Sequence, residues 1–167
     1  MTLDRFEPAA ALRVLAANQV DFVVIGGYAA ALHGSPVFTS DTDICPDPDP
    51  ANLRRLCTAL RELDARIRTS TEPEGVAFDC NEDLLVRMSM LNLVTTYGDF
   101  DISFRPAGSD GFADLARNAV GFDIGGFVVK VAAIDDIILS KETANRAKDQ
   151  YGLVHLYALR DEIAARE

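Results

Sequence analysis

Apolar residues run unbroken from Phe22 to Ile25, then give way to Gly26-Gly27 and a stretch of small residues ending at His33-Gly34. That order predicts a buried strand, a tight turn and a short helix. The next segment, Asp41-Thr42-Asp43-Ile44, reads as a second strand, reached through a loop. Side chains alternate along a strand, so Asp41 and Asp43 share one face while Thr42 and Ile44 share the other.

The pattern extends over the rest of the chain. Pro8 to Asn18 predicts a helix, with Pro8 at its first position and Ala and Leu filling it. Pro46-Asp47-Pro48-Asp49-Pro50 forces a loop, and Asp49-Pro50 caps and opens a helix in which Leu53, Leu56, Cys57 and Leu60 recur at helical spacing. A strand is expected over Arg66 to Ser70, a turn over Thr71 to Gly75 and a short helix over Asn81 to Met88, capped by Asn81. Leu91 to Thr96 and Asp99 to Phe104 are strand-like, with Tyr97-Gly98 suited to a hairpin turn. In the second of them Phe100, Ile102 and Phe104 form an apolar face; Asp99, Asp101 and Ser103 form the other. Pro106 to Gly111 is a loop, Phe112 to Asn118 a short helix and Phe127 to Val131 a short strand. A helix is expected over Ile134 to Ala147, where Ile134, Ile137, Ile138 and Lys141 fall on one stripe. Arg146-Ala147-Lys148-Asp149 interrupts the pattern before a final helix bearing Leu153, Leu156, Tyr157 and Ile163.

Length and composition narrow the picture. A chain of 167 residues, 49% hydrophobic and 25% charged, has the makings of one globular domain with a real core. The start, MTLDRFEP, is charged and lacks the apolar centre of a signal peptide, and no apolar run approaches membrane-spanning length. A cytoplasmic protein with no membrane partner is the expectation. Cys45, Cys57 and Cys80 are odd in number and lack metal-ligand spacing, so they read as reduced thiols. A net charge of −10 argues against a broad nucleic-acid surface, because phosphate contacts need Lys and Arg. It leaves room for a local basic groove at Lys141, Arg146 and Lys148. A second group, Arg54, Arg55, Arg61, Arg66 and Arg68, reads as a solvated helix face with its following strand.

Candidate chemistry gathers around the first motif. Two glycines at a helix start let the backbone approach a ligand and aim free amides at an anion, phosphate above all. Two carboxylates side by side repel unless a cation sits between them, and such hard oxygen ligands suit Mg²⁺. A carboxylate in mid-strand is a poor strand former, so Asp101 is either a functional group or part of a half-exposed sheet face. Lys141 either snorkels to the surface or meets an anion. His33, at the end of a short helix, reads as a cap or packing residue; with only His155 beside it, a histidine-based site is not expected.

The segments VIGGYAAALHG, TSDTDI, YGDFDISFRPAG and AIDDIILSKETANRAKDQYGLVHLYAL together resemble the nucleotidyltransferase superfamily, whose fold is shared with DNA polymerase β. Within it the chain is most similar to the minimal bacterial enzymes of the AbiEii and MenT toxin type. The resemblance implies an α+β fold: one domain over 1–167, with a small mixed or antiparallel sheet flanked by helices (about 20–131) and C-terminal helices over 134–167. It implies Asp41 and Asp43 as a pair binding Mg²⁺ or Mn²⁺, and Asp101 as a third carboxylate that ligates metal or activates the acceptor hydroxyl. Gly26 and Gly27 would hold the triphosphate of an NTP through backbone amides. Lys141 would contact phosphate, with Arg146 and Lys148 nearby, and Asp149 corresponds to an acidic residue after the lysine helix. The implied activity is transfer of an NMP to an acceptor, tRNA in a toxin neutralised by an antitoxin protein; a protein or a small acceptor such as an antibiotic fits the acidic charge as well. A non-catalytic module that binds a nucleotide or a partner, and a metal-dependent phosphohydrolase, are the alternatives on the same residues. Two positions depart from the common pattern: Gly27 stands where many members have serine, and Val37-Phe38 where many have arginine.

Overall fold

The computed structural model describes residues 5–167; the first four residues of the charged N-terminal start lie outside the described residues. Helix α1 (Pro8–Ala17) opens on Pro8, whose missing N–H costs nothing in a first turn. Strand β1 (Phe22–Ile25) runs directly into α2 (Gly26–His33). The turn predicted between them is compressed into one residue, Gly26, whose φ of +70° only glycine adopts freely. After β2 (Asp41–Pro46), α3 (Pro50–Glu62) starts at the predicted cap, where the Asp49 carboxylate accepts a hydrogen bond from the Ala51 N–H at 3.1 Å. Asn52, fully buried in that first turn, donates to the carbonyls of Asp21 and Asp47 and accepts from the Asp21 N–H. One side chain thus ties α3 to the start of β1 and the end of β2.

Strand β3 (Arg66–Ile67) is shorter than the predicted Arg66 to Ser70, because its pairing with β4 covers only those two residues. Helix α4 (Glu82–Arg87) is capped by Asn81, which accepts from the Leu84 N–H. The hairpin of β4 (Met90–Thr95) and β5 (Gly98–Ser103) turns at Thr96-Tyr97, one residue ahead of the expected pair. Helix α5 (Phe112–Asn118) has the predicted bounds. Strand β6 (Val120–Asp123) was not legible: Val120 is exposed, Gly121 has no side chain, and no alternation marks the segment. Strand β7 (Val128–Val131) follows. The helix predicted over Ile134 to Ala147 is shorter: α6 (Ile134–Ala144) stops at Asn145 in the left-handed conformation, φ +49°, and the expected final helix, α7 (Ala147–Arg166), starts earlier, inside the segment that interrupts the pattern.

The seven strands form one mixed sheet in the order β3-β4-β5-β2-β1-β7-β6, with β2–β5 and β1–β7 parallel and the other pairs antiparallel. Register decides the site. Thr42 lies beside Phe100, which in turn lies beside Leu93, and Ile44 beside Ile102, which lies beside Leu91; all six are buried. Burying each large apolar side chain of this set contributes roughly 1.5–3 kcal/mol, which fixes which face turns inward. The opposite face of the same strands must then carry the row Asp43–Asp101–Asn92. The core holds the carboxylates outward.

Candidate active site

Asp41 and Asp43 leave β2 on the outward face, and Asp101 leaves the parallel neighbour β5. One carboxylate oxygen from each lies within 4.8 Å of the others. Burial, then the charges of Asp41 and Asp101, push the Asp43 carboxyl up to about 7, with Lys148 pulling the other way. Burial and a hydrogen bond with Asp41 push Asp101 up to about 6 against the pull of Arg68. Three half-buried carboxylates this close together are a donor set that a divalent cation stabilises, and all-oxygen ligation suits Mg²⁺ or Mn²⁺.

The start of α2 abuts this cluster. A Cβ built on Gly26 would collide with Asp43 Oδ2, so the glycine is what lets the carboxylate lie against the helix start. A Cβ on Gly27 would stand 2.7 Å from Thr39 Oγ1. Thr39, whose hydroxyl donates to the Asp41 carbonyl, occupies the space a serine at 27 would need. That accounts for one departure from the common pattern.

The C-terminal helices bring three cations to the same cleft, a cavity of about 780 Å³ lined also by Gly26, Gly27 and the three carboxylates. They are Lys141 from α6, Arg146 at the N-cap of α7 and Lys148 in its first turn. Asp149 holds two of them. Its side chain is fully buried and accepts from the Arg146 backbone N–H at 3.1 Å, from Nε at 2.7 Å and from Nη2 at 3.2 Å, with Lys141 Nζ 3.7 Å away. Burial opposes ionisation here, yet the hydrogen bonds and charge of Arg146, with help from Lys141, hold the carboxyl below its usual range. Asp149 therefore faces the cations and stands apart from the carboxylate trio. The interruption in the sequence pattern is the start of α7, where Asp149, the third residue of the helix, reaches back to accept from the backbone N–H of Arg146.

Arg68 corrects the sequence reading. Expected on a solvated face, it is only 22% exposed, donates to the Leu93 carbonyl at 2.6 Å and to Asp101 Oδ1 at 2.8 Å, and lies 3.5 Å from Asp99. The alternation Arg66-Ile67-Arg68 on a strand end was the available signal. The rest of that arginine group has structural duties: Arg54 pairs with Glu82, Arg55 donates to the Gln19 carbonyl and Arg61 to the Cys80 carbonyl. His33 packs as expected, hydrogen-bonding the Ala132 carbonyl at 2.8 Å with its ring edge-on to Phe122. The three cysteines are buried free thiols outside the cleft lining, with Cys80 Sγ 3.3 Å from Cys57 Sγ. No helix among the described residues is long and apolar enough to cross a membrane.

No protein-family model matches the chain, and no curated protein is significantly similar to it in sequence. Solved structures are similar in shape. The lincomycin-bound lincosamide antibiotic adenylyltransferase LnuA superposes with a TM-score of 0.62 at 15% identity, covering 94% of this chain and 99% of that one. A Thermotoga maritima protein described as a candidate nucleotidyltransferase superposes with a TM-score of 0.53 at 17% identity, covering 93% of this chain and 92% of that one. With its mixed sheet, flanking helices and outward carboxylates, the chain has the nucleotidyltransferase fold, the fold of DNA polymerase β.

Proposed function

We propose that the protein is a divalent-metal-dependent nucleotidyltransferase, which moves a nucleoside monophosphate from a nucleoside triphosphate to a hydroxyl acceptor. The observation that carries this reading is the juxtaposition, in one cleft, of the Asp41, Asp43 and Asp101 carboxylates with the glycine-opened start of α2 and three cations. Asp41, Asp43 and Asp101 are the residues to hold Mg²⁺ or Mn²⁺, which when bound would supply charge stabilisation to the attacking and leaving oxygens. The chain's own groups do the rest. Gly26 and Gly27 bring backbone amides to the triphosphate, Lys141, Arg146 and Lys148 offset its charge, and Lys141 neutralises the charge that develops on departing pyrophosphate. The acceptor oxygen attacks the α-phosphorus, the bond to pyrophosphate breaks, and Asp101 is placed to take the hydroxyl proton or to ligate metal. Asp149 is a positioning residue that holds Lys141 and Arg146 toward the cleft.

The AbiEii- and MenT-type resemblance supports tRNA as acceptor and an antitoxin as partner, and it rests on sequence segments alone. The similarity in shape to an enzyme named for a lincosamide acceptor supports a small molecule. The test is incubation with Mg²⁺, each α-labelled NTP and cell extract, beside Asp41→Ala. Label transferred to any acceptor and lost in the variant is expected. Free NMP without labelled acceptor would make it a phosphohydrolase; NTP binding indifferent to Mg²⁺ and to Asp41 would make it a non-catalytic module.

A further inference from the structure

We infer that the acceptor is a small hydroxyl-bearing compound with an apolar face and no phosphate, seated on the open half of the sheet beyond Asp101; the inference rests on the transferase reading above. The charge in the cleft is one-sided. Gly26, Gly27, Lys141, Arg146 and Lys148 belong to α2, α6 and α7, and Lys148 and Arg146 are close enough to Asp43 for their charges to couple with it. On the other side of the carboxylates the sheet continues outward through β5 and β4. There Asn92 stands beside Asp101, and Met90 beside Ser103. Asn92 is exposed and Met90 is 55% exposed. Phe38, from the loop between α2 and β2, is 87% exposed and lines the same cleft.

This platform offers an amide, a hydroxyl and a thioether. Its cation among the described lining residues is Arg68, already engaged by Asp101 and Asp99. A polynucleotide entering from this side would lay phosphates against Asp99 and Asp101, where the lining cation, Arg68, is already paired, on a protein of net charge −10. An exposed methionine beside an amide and a hydroxyl, in a cleft that Phe38 also lines, has the composition of a small-molecule site, apolar surface with a few orienting polar groups. Met90 and Asn92 are thereby specificity residues for the acceptor, and the α6–α7 cations serve the nucleotide.

The experiment uses the whole protein with Mg²⁺ and the α-labelled NTP that binds most tightly. It is offered total bacterial tRNA in one reaction and the metabolite fraction below about 1 kDa of a bacterial extract in another. Expected are a labelled low-mass product and no labelled tRNA. Met90→Asp should cut low-mass labelling at least tenfold while leaving Mg²⁺-dependent NTP binding unchanged; Lys148→Ala should weaken that binding. Labelled tRNA, or tRNA binding that falls steeply with salt, overturns the acceptor assignment and leaves the transferase reading standing. So does NTP binding with no low-mass product, or a Met90→Asp protein that labels as the wild type does. Absence of any Mg²⁺-dependent NTP binding sinks the transferase reading itself.

Discussion

Asp149→Asn isolates what the buried carboxylate does, because it preserves volume and removes charge. In the native protein Asp149 is fully buried and receives two charge-assisted bonds from Arg146, at 2.7 and 3.2 Å, and a backbone bond at 3.1 Å. Removing one partner of a buried ion pair costs about 3–5 kcal/mol when the other charge is stranded. Arg146 is 59% exposed and can return its guanidinium to water, which reduces the expected loss to about 2 kcal/mol. For a chain of this size each kcal/mol moves Tm by about 2–4 °C, so thermal unfolding followed by circular dichroism should show a drop of about 4–8 °C. The pH dependence has a definite sign. A carboxyl held below its ordinary range in the folded state contributes stability that is fully present above the unfolded pKa, about 3.9, and is lost as pH falls through the folded value. The difference between wild type and variant should therefore be constant from about pH 5 to 8 and shrink on further acidification. Mg²⁺-dependent NTP affinity should also fall, by roughly tenfold, as Lys141 and Arg146 lose their anchor. An unchanged Tm at neutral pH, or a gap that widens in acid, would refute the assignment of Asp149 as the anchor of these cations.

Asp41→Ala and Asp43→Ala should fold and lose transfer by a thousandfold or more, since a lost metal ligand removes several kcal/mol of transition-state stabilisation, measured by label transfer at saturating NTP. In EDTA at pH 8, Asp43→Asn should be more stable than wild type by about 1–3 kcal/mol, because it deletes a desolvated charge repelled by Asp41 and Asp101; Mg²⁺ should raise the Tm of the wild type and leave the variant unmoved. Gly26→Ala should lower Tm and abolish NTP binding, since the new methyl meets Asp43 Oδ2 at a backbone angle that side chains rarely adopt; wild-type Tm and affinity in a binding titration would contradict this. The thiols of Cys45 and Cys80, both pushed up to about 12 by burial, should ignore a disulfide reagent at pH 8 in native protein, and all three cysteines should react once urea unfolds it.

What the sequence made legible was whatever is encoded within one turn or one strand. The face shared by Asp41 and Asp43 follows from alternation, the caps at Asp49 and Asn81 from side-chain chemistry, and the bounds of β1 and α5 from their apolar pattern. The approach of Asp101 to that pair was reached only through resemblance. Nothing local says that β5 lies parallel to β2 in the register that sets Asp101 beside Asp43. Arg68 and Asp149 show the limit from opposite directions. Arg68 sits in a group of arginines whose other members bind loops and surface acids, so composition gave it the same reading as its neighbours. Its proper place depends on β4 separating β3 from β5 by a single strand, which lets a long side chain reach across to Asp101.

Asp149 was legible only through resemblance, as an acidic residue after the lysine helix at an interruption of the pattern; spacing alone does not show that the interruption makes it the third residue of α7. There its carboxylate is turned toward the cations. The two arrangements are complementary: on one side of the trio an acid, Asp149, gathers bases, and on the other a base, Arg68, gathers acids. Each pairing lowers the local net charge of its own wing. What survives for a ligand is positive charge on the wing of α6 and α7, where Arg146 and Lys148 are not fully neutralised, and no surplus cation beside Asp99 and Asp101, where one arginine meets two carboxylates. The order of strands, more than any single motif, is what sets the basic wing of α6 and α7 on one side of the trio and the β4 edge on the other.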